Sequence, residues 1–175
     1  MRKLSSGACM ALIGLVTHPL LSQELGLGRE VTAAEVRAWD ITIGPGGDEL
    51  PEGSGSAVEG SQIYEVRCKE CHGELGVGGD HAALVGKPAD LKKAPPIKTV
   101  GSYWPYATTL FDYTRRAMPF EEPGTLTDDQ VYAVTAYVLY LNGIVGEDDV
   151  MDRDSLPKVE MPNRDGFVPD PRPKP

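Results

Sequence analysis

One helical pattern dominates this chain. In LTDDQVYAVTAYVLYLNG, Leu126 to Gly143, the residues Val131, Val134, Val138 and Leu141 recur at steps of three, four and three, which lines them along one face of an α-helix. The ends are marked as well. Thr127 is placed to cap the helix with Gln130 closing a capping box, and Leu126 and Val131 stand at the positions of a hydrophobic staple. Asp128 and Asp129 suit the positive helix end, and Asn142–Gly143 is a natural stop. A second helix is predicted from about Val58 through VEGSQIYEVRCKEC, with Ile63, Tyr64 and Val66 as its apolar residues. YATTLFDYTRRA, Tyr106 to Ala117, reads as one or two short helices that end at Met118, because Pro119 disfavours helical geometry in the residue before it. TAAEVRAW, Thr32 to Trp39, reads as a short helix capped by Thr32 with Glu35.

Between these patterns the chain is punctuated. GPGGDELPEGSGS, residues 44–56, is turn and loop material, and the glycine-rich and proline-rich stretch from Gly73 to Ile97 predicts a wrapping loop with little regular structure. The last 25 residues hold six prolines and cannot form a packed core alone; they are expected to be disordered or laid extended along the domain or a partner. The expected organisation is an N-terminal arm and loop over residues 24–56, a helical domain over 57–145 and a proline-rich tail over 146–175.

Residues 1–23 read as an export signal. Arg2 and Lys3 precede an apolar run from Ala8 to Val16 that is too short to span a bilayer; cleavage is expected within residues 21–28. Removing residues 1–23 deletes two basic and no acidic residues, so the formal charge goes from −9 to −11. A chain this acidic does not suit nucleic acid or an anionic membrane surface, and favours a basic protein partner. Export implies a periplasmic protein without a membrane anchor. It also removes Cys9, leaving Cys68 and Cys71 as the only thiols.

Those two thiols stand in VRCKECHGELGVGG, followed at once by His72. A closed zinc site needs four ligands, and the remaining chain offers two thiols plus His72 and His81, with His72 awkwardly adjacent to Cys71. A thioredoxin-like dithiol belongs to a βαβ setting, whereas this one follows a helix and precedes a glycine-rich loop. Covalent haem uses every part: each thiol adds to one vinyl group, and the next residue, His72, is the axial ligand. C-x-x-C-H is the attachment signature of c-type haem. The second axial ligand must come from elsewhere, and a methionine sulfur is a common choice that raises the reduction potential. Met118, in RRAMPF forty-six residues after His72, is the expected one; Met161 and His81 are the remaining candidates. Tyr103, Trp104, Tyr106, Phe111 and Tyr113 are clustered enough to wall a haem, and Arg115 and Arg116 could meet its propionates or a partner.

Taken together, CKECHG at the end of a helix, the loop leading to AMPF, and the LTDDQVYAVTAYVLYLNG helix resemble class I cytochrome c over about residues 57–145. Gly60 and Tyr64 look like the small and aromatic pair with which that family packs its first helix on its last, with Tyr137 as the partner. The resemblance implies an all-α cytochrome c fold of about three to five helices around one covalently attached haem c, with extended N- and C-terminal arms. A narrower resemblance, carried by AWDITIGPGGDELPEGSGS, KTVGSYWPYATTLFDYTRRAMPF and VEMPNRDGFVPDPRP, is to the cytochrome subunits of Sox-type sulfur and sulfite dehydrogenases. It implies a molybdenum-cofactor subunit of the sulfite-oxidase type as electron donor, and a respiratory electron acceptor. Relatives can carry a second haem domain; this sequence has one C-x-x-C-H. The chain would then be a mono-haem carrier, either in such a complex or serving another exported dehydrogenase; a catalytic haem enzyme fits less well, because a methionine ligand closes the iron.

Overall fold

A computed structural model describes residues 27–172, so the expected signal segment lies outside the described residues. The chain divides into two compact units, one ending at Trp39 and one beginning at Asp40. In the first, α1 (Ala33–Trp39) is a seven-residue helix that buries none of its side chains. Its cap is the expected one: the Thr32 N–H donates to Glu35 Oε2 at 2.9 Å and the Glu35 N–H donates to Thr32 Oγ1 at 3.3 Å.

The second unit is mostly helical. β1 (Ser54–Ser56) leads directly into α2 (Ala57–Arg67), which a Ser56–Glu59 capping box starts. The short α3 (Lys69–His72) follows, then a loop containing a 3₁₀ turn over Pro88–Lys92. After it come α4 (Val100–Tyr103), α5 (Ala107–Ala117) and α6 (Asp128–Leu141). The Thr127–Gln130 capping box of α6 forms as its sequence predicts, and Gly143 beyond its end has φ +67°. The expected second helix therefore starts at Ala57 with Ser56 as cap, and the third is one continuous helix.

α6 differs from its sequence pattern in being buried on nearly all sides. Besides Val131, Val134 and Val138, the residues Tyr132, Ala133, Thr135, Ala136 and Leu139 are also buried, whereas Leu141 is only partly so. Three neighbours account for this. α2 crosses α6 so closely that a Cβ placed on Gly60 would lie 1.9 Å from the Ala133 carbonyl oxygen, and Tyr64 packs on Tyr137 with ring centres 5.2 Å apart. α5 meets it through Phe111 and Tyr132, 4.4 Å apart. β1 covers a third side, where a Cβ on Gly55 would meet the Ala133 nitrogen at 2.4 Å.

The core also reaches beyond residues 57–145. β1 pairs antiparallel with β2 (Val150–Asp152), Gly55 opposite Met151. Ile43 and Leu50 before the helices, and Met151, Leu156 and Met161 after them, all belong to the buried cluster. Buried Asp112 accepts from the Ile43 N–H at 3.1 Å and pairs with Arg116, fixing the segment before β1 onto α5. Past β2 the tail lies across α4 and α5: Asn163 Nδ2 donates to the Tyr103 carbonyl at 2.7 Å, Arg164 stacks over the Tyr106 ring, and Phe167 meets Tyr103 edge-on. Its prolines suit this extended course, and its few apolar side chains are spaced to reach the domain. Among the described residues no helix is long and apolar enough to cross a membrane.

Candidate haem-attachment site

The C-x-x-C-H segment is built where α2 ends. Cys68 closes α2, its N–H donating to the Tyr64 carbonyl at 2.9 Å, and its φ of −128° and ψ of −35° break the helix. The chain at once makes one more turn, α3, in which the Cys71 and His72 N–H groups both donate to the Cys68 carbonyl, at 3.2 and 3.0 Å. One turn thus gathers both thiols and the imidazole. The two cysteines are free, Cys68 half-buried and Cys71 exposed. Burial pushes the Cys68 thiol up to about 11. That is opposite to the lowered pKa that activates a redox dithiol. Among the described residues no three His, Cys, Asp or Glu side chains converge as a metal cluster would require.

His72 is held by the loop that follows it. Its Nδ1 lies 2.8 Å from the Ala82 carbonyl oxygen. A carbonyl only accepts, so in the neutral ring Nδ1 carries the proton and Nε2 keeps its lone pair for a metal. Backbone bonds place Ala82 there: the His81 N–H donates to the Cys71 carbonyl at 3.0 Å, and the Leu84 N–H to the Gly76 carbonyl at 2.8 Å. The loop folds back so tightly that a Cβ on Gly73 (φ +83°) would lie 1.9 Å from the Val77 oxygen, and one on Gly79 would lie 2.2 Å from the Cys71 oxygen. From below, Tyr64 Oη donates to the Gly73 carbonyl at 2.9 Å, and burial pushes this phenol up to about 12, so it stays a donor.

The candidates for the second ligand separate by burial. Met151 and Met161 are 5% and 3% exposed and lie in the apolar core. Met118 is the described methionine outside that core. It is half-buried and sits just past α5, where its N–H donates to the Thr114 carbonyl at 3.1 Å and the chain turns extended ahead of Pro119. His81 is exposed, its ring centre 6.4 Å from that of His72. The structure therefore joins Cys68, Cys71 and His72 in one turn, while Met118 stands on a different element, at the end of α5.

Other side chains divide between core and surface. Of the aromatic residues expected to wall a haem, Phe111 is core, while Trp104 and Tyr113 pack edge-on with ring centres 5.7 Å apart. Arg115 and Arg116 are engaged within the domain, by Asp128 and Asp112. Beside the candidate ligands several apolar side chains face outward, Val66, Leu75 and Val77 near the motif and Tyr113 and Phe120 near Met118. Two free thiols in one turn and an imidazole with Nδ1 already bonded, with exposed apolar side chains next to them in the chain, suit a covalently attached porphyrin. The sequence pattern gave no sign of Ala82 as the group that orients His72, since a backbone carbonyl has no residue signature. It pointed to Asn142 only as a helix stop.

Comparison with known proteins agrees with this chemistry. Residues 55–138 match the family model described as cytochrome C oxidase, cbb3-type, subunit III. No curated protein matches. Among solved structures, a chain of the sulfane dehydrogenase SoxCD from Paracoccus pantotrophus is 41% identical, with a TM-score of 0.77, over 85% of this chain and 74% of that one. On a shared fold, a shared domain and an identity of this size, the chain belongs to the c-type cytochromes: it is a haem-c electron carrier that resembles the cytochromes of Sox type.

Proposed function

We propose that this chain is a mono-haem cytochrome that accepts electrons from a molybdenum-cofactor subunit oxidising sulfite or sulfane sulfur and passes them to a respiratory acceptor in the periplasm. The observation that carries this reading is the 41% identity to a chain of a sulfane dehydrogenase, extending over 85% of the present sequence and so into the flanks outside the helical domain. Cys68 and Cys71 would hold the haem through two thioethers, with His72 Nε2 and the Met118 sulfur as the ligands of its iron. Residues 1–23 direct export to the compartment where such haems are attached.

The bound haem supplies one-electron chemistry, its iron cycling between ferric and ferrous states. The protein supplies the rest. The Ala82 carbonyl fixes the His72 tautomer and strengthens its donation. The thioether sulfur of Met118 favours the reduced state. Ligation by both His72 and Met118 would leave no place for substrate at the iron, which suits a carrier rather than a catalyst.

Two experiments divide the proposal. Met118→Ala in the haem-loaded protein is expected to abolish the methionine–iron charge-transfer absorption; its persistence refutes Met118 as ligand. Mixing the oxidised cytochrome with the candidate molybdenum subunit and sulfite or a sulfane-sulfur substrate is expected to reduce the haem on the turnover timescale. No reduction refutes the donor and leaves the carrier standing.

A further inference from the structure

Asn142 does more than end α6. Its side chain reaches the loop after the C-x-x-C-H turn and uses both ends of its amide: Oδ1 accepts from the Gly86 N–H at 3.1 Å, while Nδ2 donates to the Leu84 carbonyl at 3.3 Å and to the Val138 carbonyl of its own helix at 2.8 Å. The passage for this amide is kept open by Gly101, where a Cβ would lie 2.1 Å from Asn142 Oδ1 and 2.5 Å from the Gly86 oxygen. Leu84 is in turn bonded to the Gly76 carbonyl through its N–H, and accepts from the Val100 N–H at 3.1 Å. Two residues before Leu84 stands Ala82, whose carbonyl accepts from His72 Nδ1. The loop from Gly73 to Gly86 is therefore tied at one end to α2 through Tyr64 Oη and at the other to α6 through Asn142.

We infer that Asn142 is a positioning residue for the iron's histidine ligand: by clamping Leu84 and Gly86 to the end of α6 it holds the Ala82 carbonyl against His72 Nδ1–H, and thereby sets the donor strength of Nε2. The inference rests on the reading of His72 as ligand. Among the described residues no other side chain hydrogen-bonds Leu84 or Gly86. An amide suits the task because it accepts from an N–H and donates to carbonyls at once; leucine has the volume without the bonds, and aspartate keeps only the acceptor. A ligand imidazole whose Nδ1–H is well bonded to a carbonyl is more basic at Nε2 and stabilises the ferric state, so slackening the clamp moves the potential upward.

The test compares haem-loaded wild type with Asn142→Ala and Asn142→Asp, and follows exchange of the His72 Nδ1–H proton in the reduced protein by NMR, together with the midpoint potential. Asn142→Ala removes three side-chain hydrogen bonds and is expected to speed this exchange at least about tenfold, equivalent to ~1.4 kcal/mol, with a higher potential. Asn142→Asp, which keeps the bond from Gly86, falls between. Unchanged exchange and potential in a folded variant of either kind, even with lower thermal stability, overturns the inference and leaves Asn142 a helix cap. If the wild-type protein shows no haem-shifted Nδ1–H signal from His72, the ligand reading itself has failed, which is a distinguishable outcome.

Discussion

Gly60 is where the fold can be tested with one methyl group. A Cβ there would stand 1.9 Å from the Ala133 oxygen, 2.5 Å from its carbonyl carbon and 2.8 Å from Tyr137 Cβ. Ordinary contact begins near 3.4 Å, so Gly60→Ala demands a separation of 3.4 − 1.9 = 1.5 Å between α2 and α6. The obstacle is helix backbone, which cannot rotate away as a side chain can. Helix propensity works in the opposite direction, since Ala is better than Gly inside a helix by about 1 kcal/mol. Overpacking of a tight interface costs about 1–3 kcal/mol, and loosening the Tyr64–Tyr137 pair forfeits about 0.5–1.5 kcal/mol more. The sum is a net destabilisation of about 0.5–3.5 kcal/mol. Urea unfolding of the haem-loaded protein, followed by haem absorbance, measures it, with Gln62→Ala on the exposed side of α2 as control. Because α2 ends in Cys68, the same change is expected to disturb the haem spectrum. If Gly60→Ala is as stable as wild type or more so, propensity has won and the close crossing of α2 and α6 is not as described.

Two further outcomes follow from burial. Tyr64 and Tyr132 are both pushed up from an ordinary value near 10 to about 12, chiefly by burial. The fold thus favours the protonated phenols, and their contribution is intact below pH 10 and lost as pH rises from 10 toward 12; Tyr64→Phe is expected to flatten that alkaline decline in unfolding free energy, and an unchanged slope contradicts the assignment. Leu156, in the 3₁₀ turn of the tail (Leu156–Lys158), is fully buried, so Leu156→Ala is expected to cost about 2–5 kcal/mol by denaturant unfolding, whereas a cost near zero would mean that the tail is not part of the core.

What could be read from the sequence was local. The caps at Thr32 and Thr127, the stop ahead of Pro119 and the C-x-x-C-H turn depend on neighbours within four residues, and each forms as its pattern predicts. The Gly60–Tyr64–Tyr137 contact is long-range, and it was legible only because those residues resemble a known helix crossing. The burial of α6 on nearly every side was not legible, because Ala133 and Thr135 match no apolar stripe and β1 reaches them from a segment that reads as loop. The tail was legible only in part: lying along the domain was one of the courses expected for it, but its share of the core was not. Its prolines announce that it has no core of its own, while Met151, Leu156 and Met161 fill the core of the domain it crosses. At the site, side-chain identities gave the thiols and imidazole, whereas the orienting carbonyl of Ala82 and the clamp at Asn142 belong to tertiary structure alone.

Attachment of a single haem c at Cys68, Cys71 and His72 is open to direct test. The direct measurement is peptide mass spectrometry of the protein produced in a host that attaches haem to exported chains. One haem per chain is expected, carried on the peptide that contains Cys68, Cys71 and His72 and retained under denaturation through two thioethers. A haem-free peptide with two thiols or a disulfide, or haem on any other segment, would contradict it.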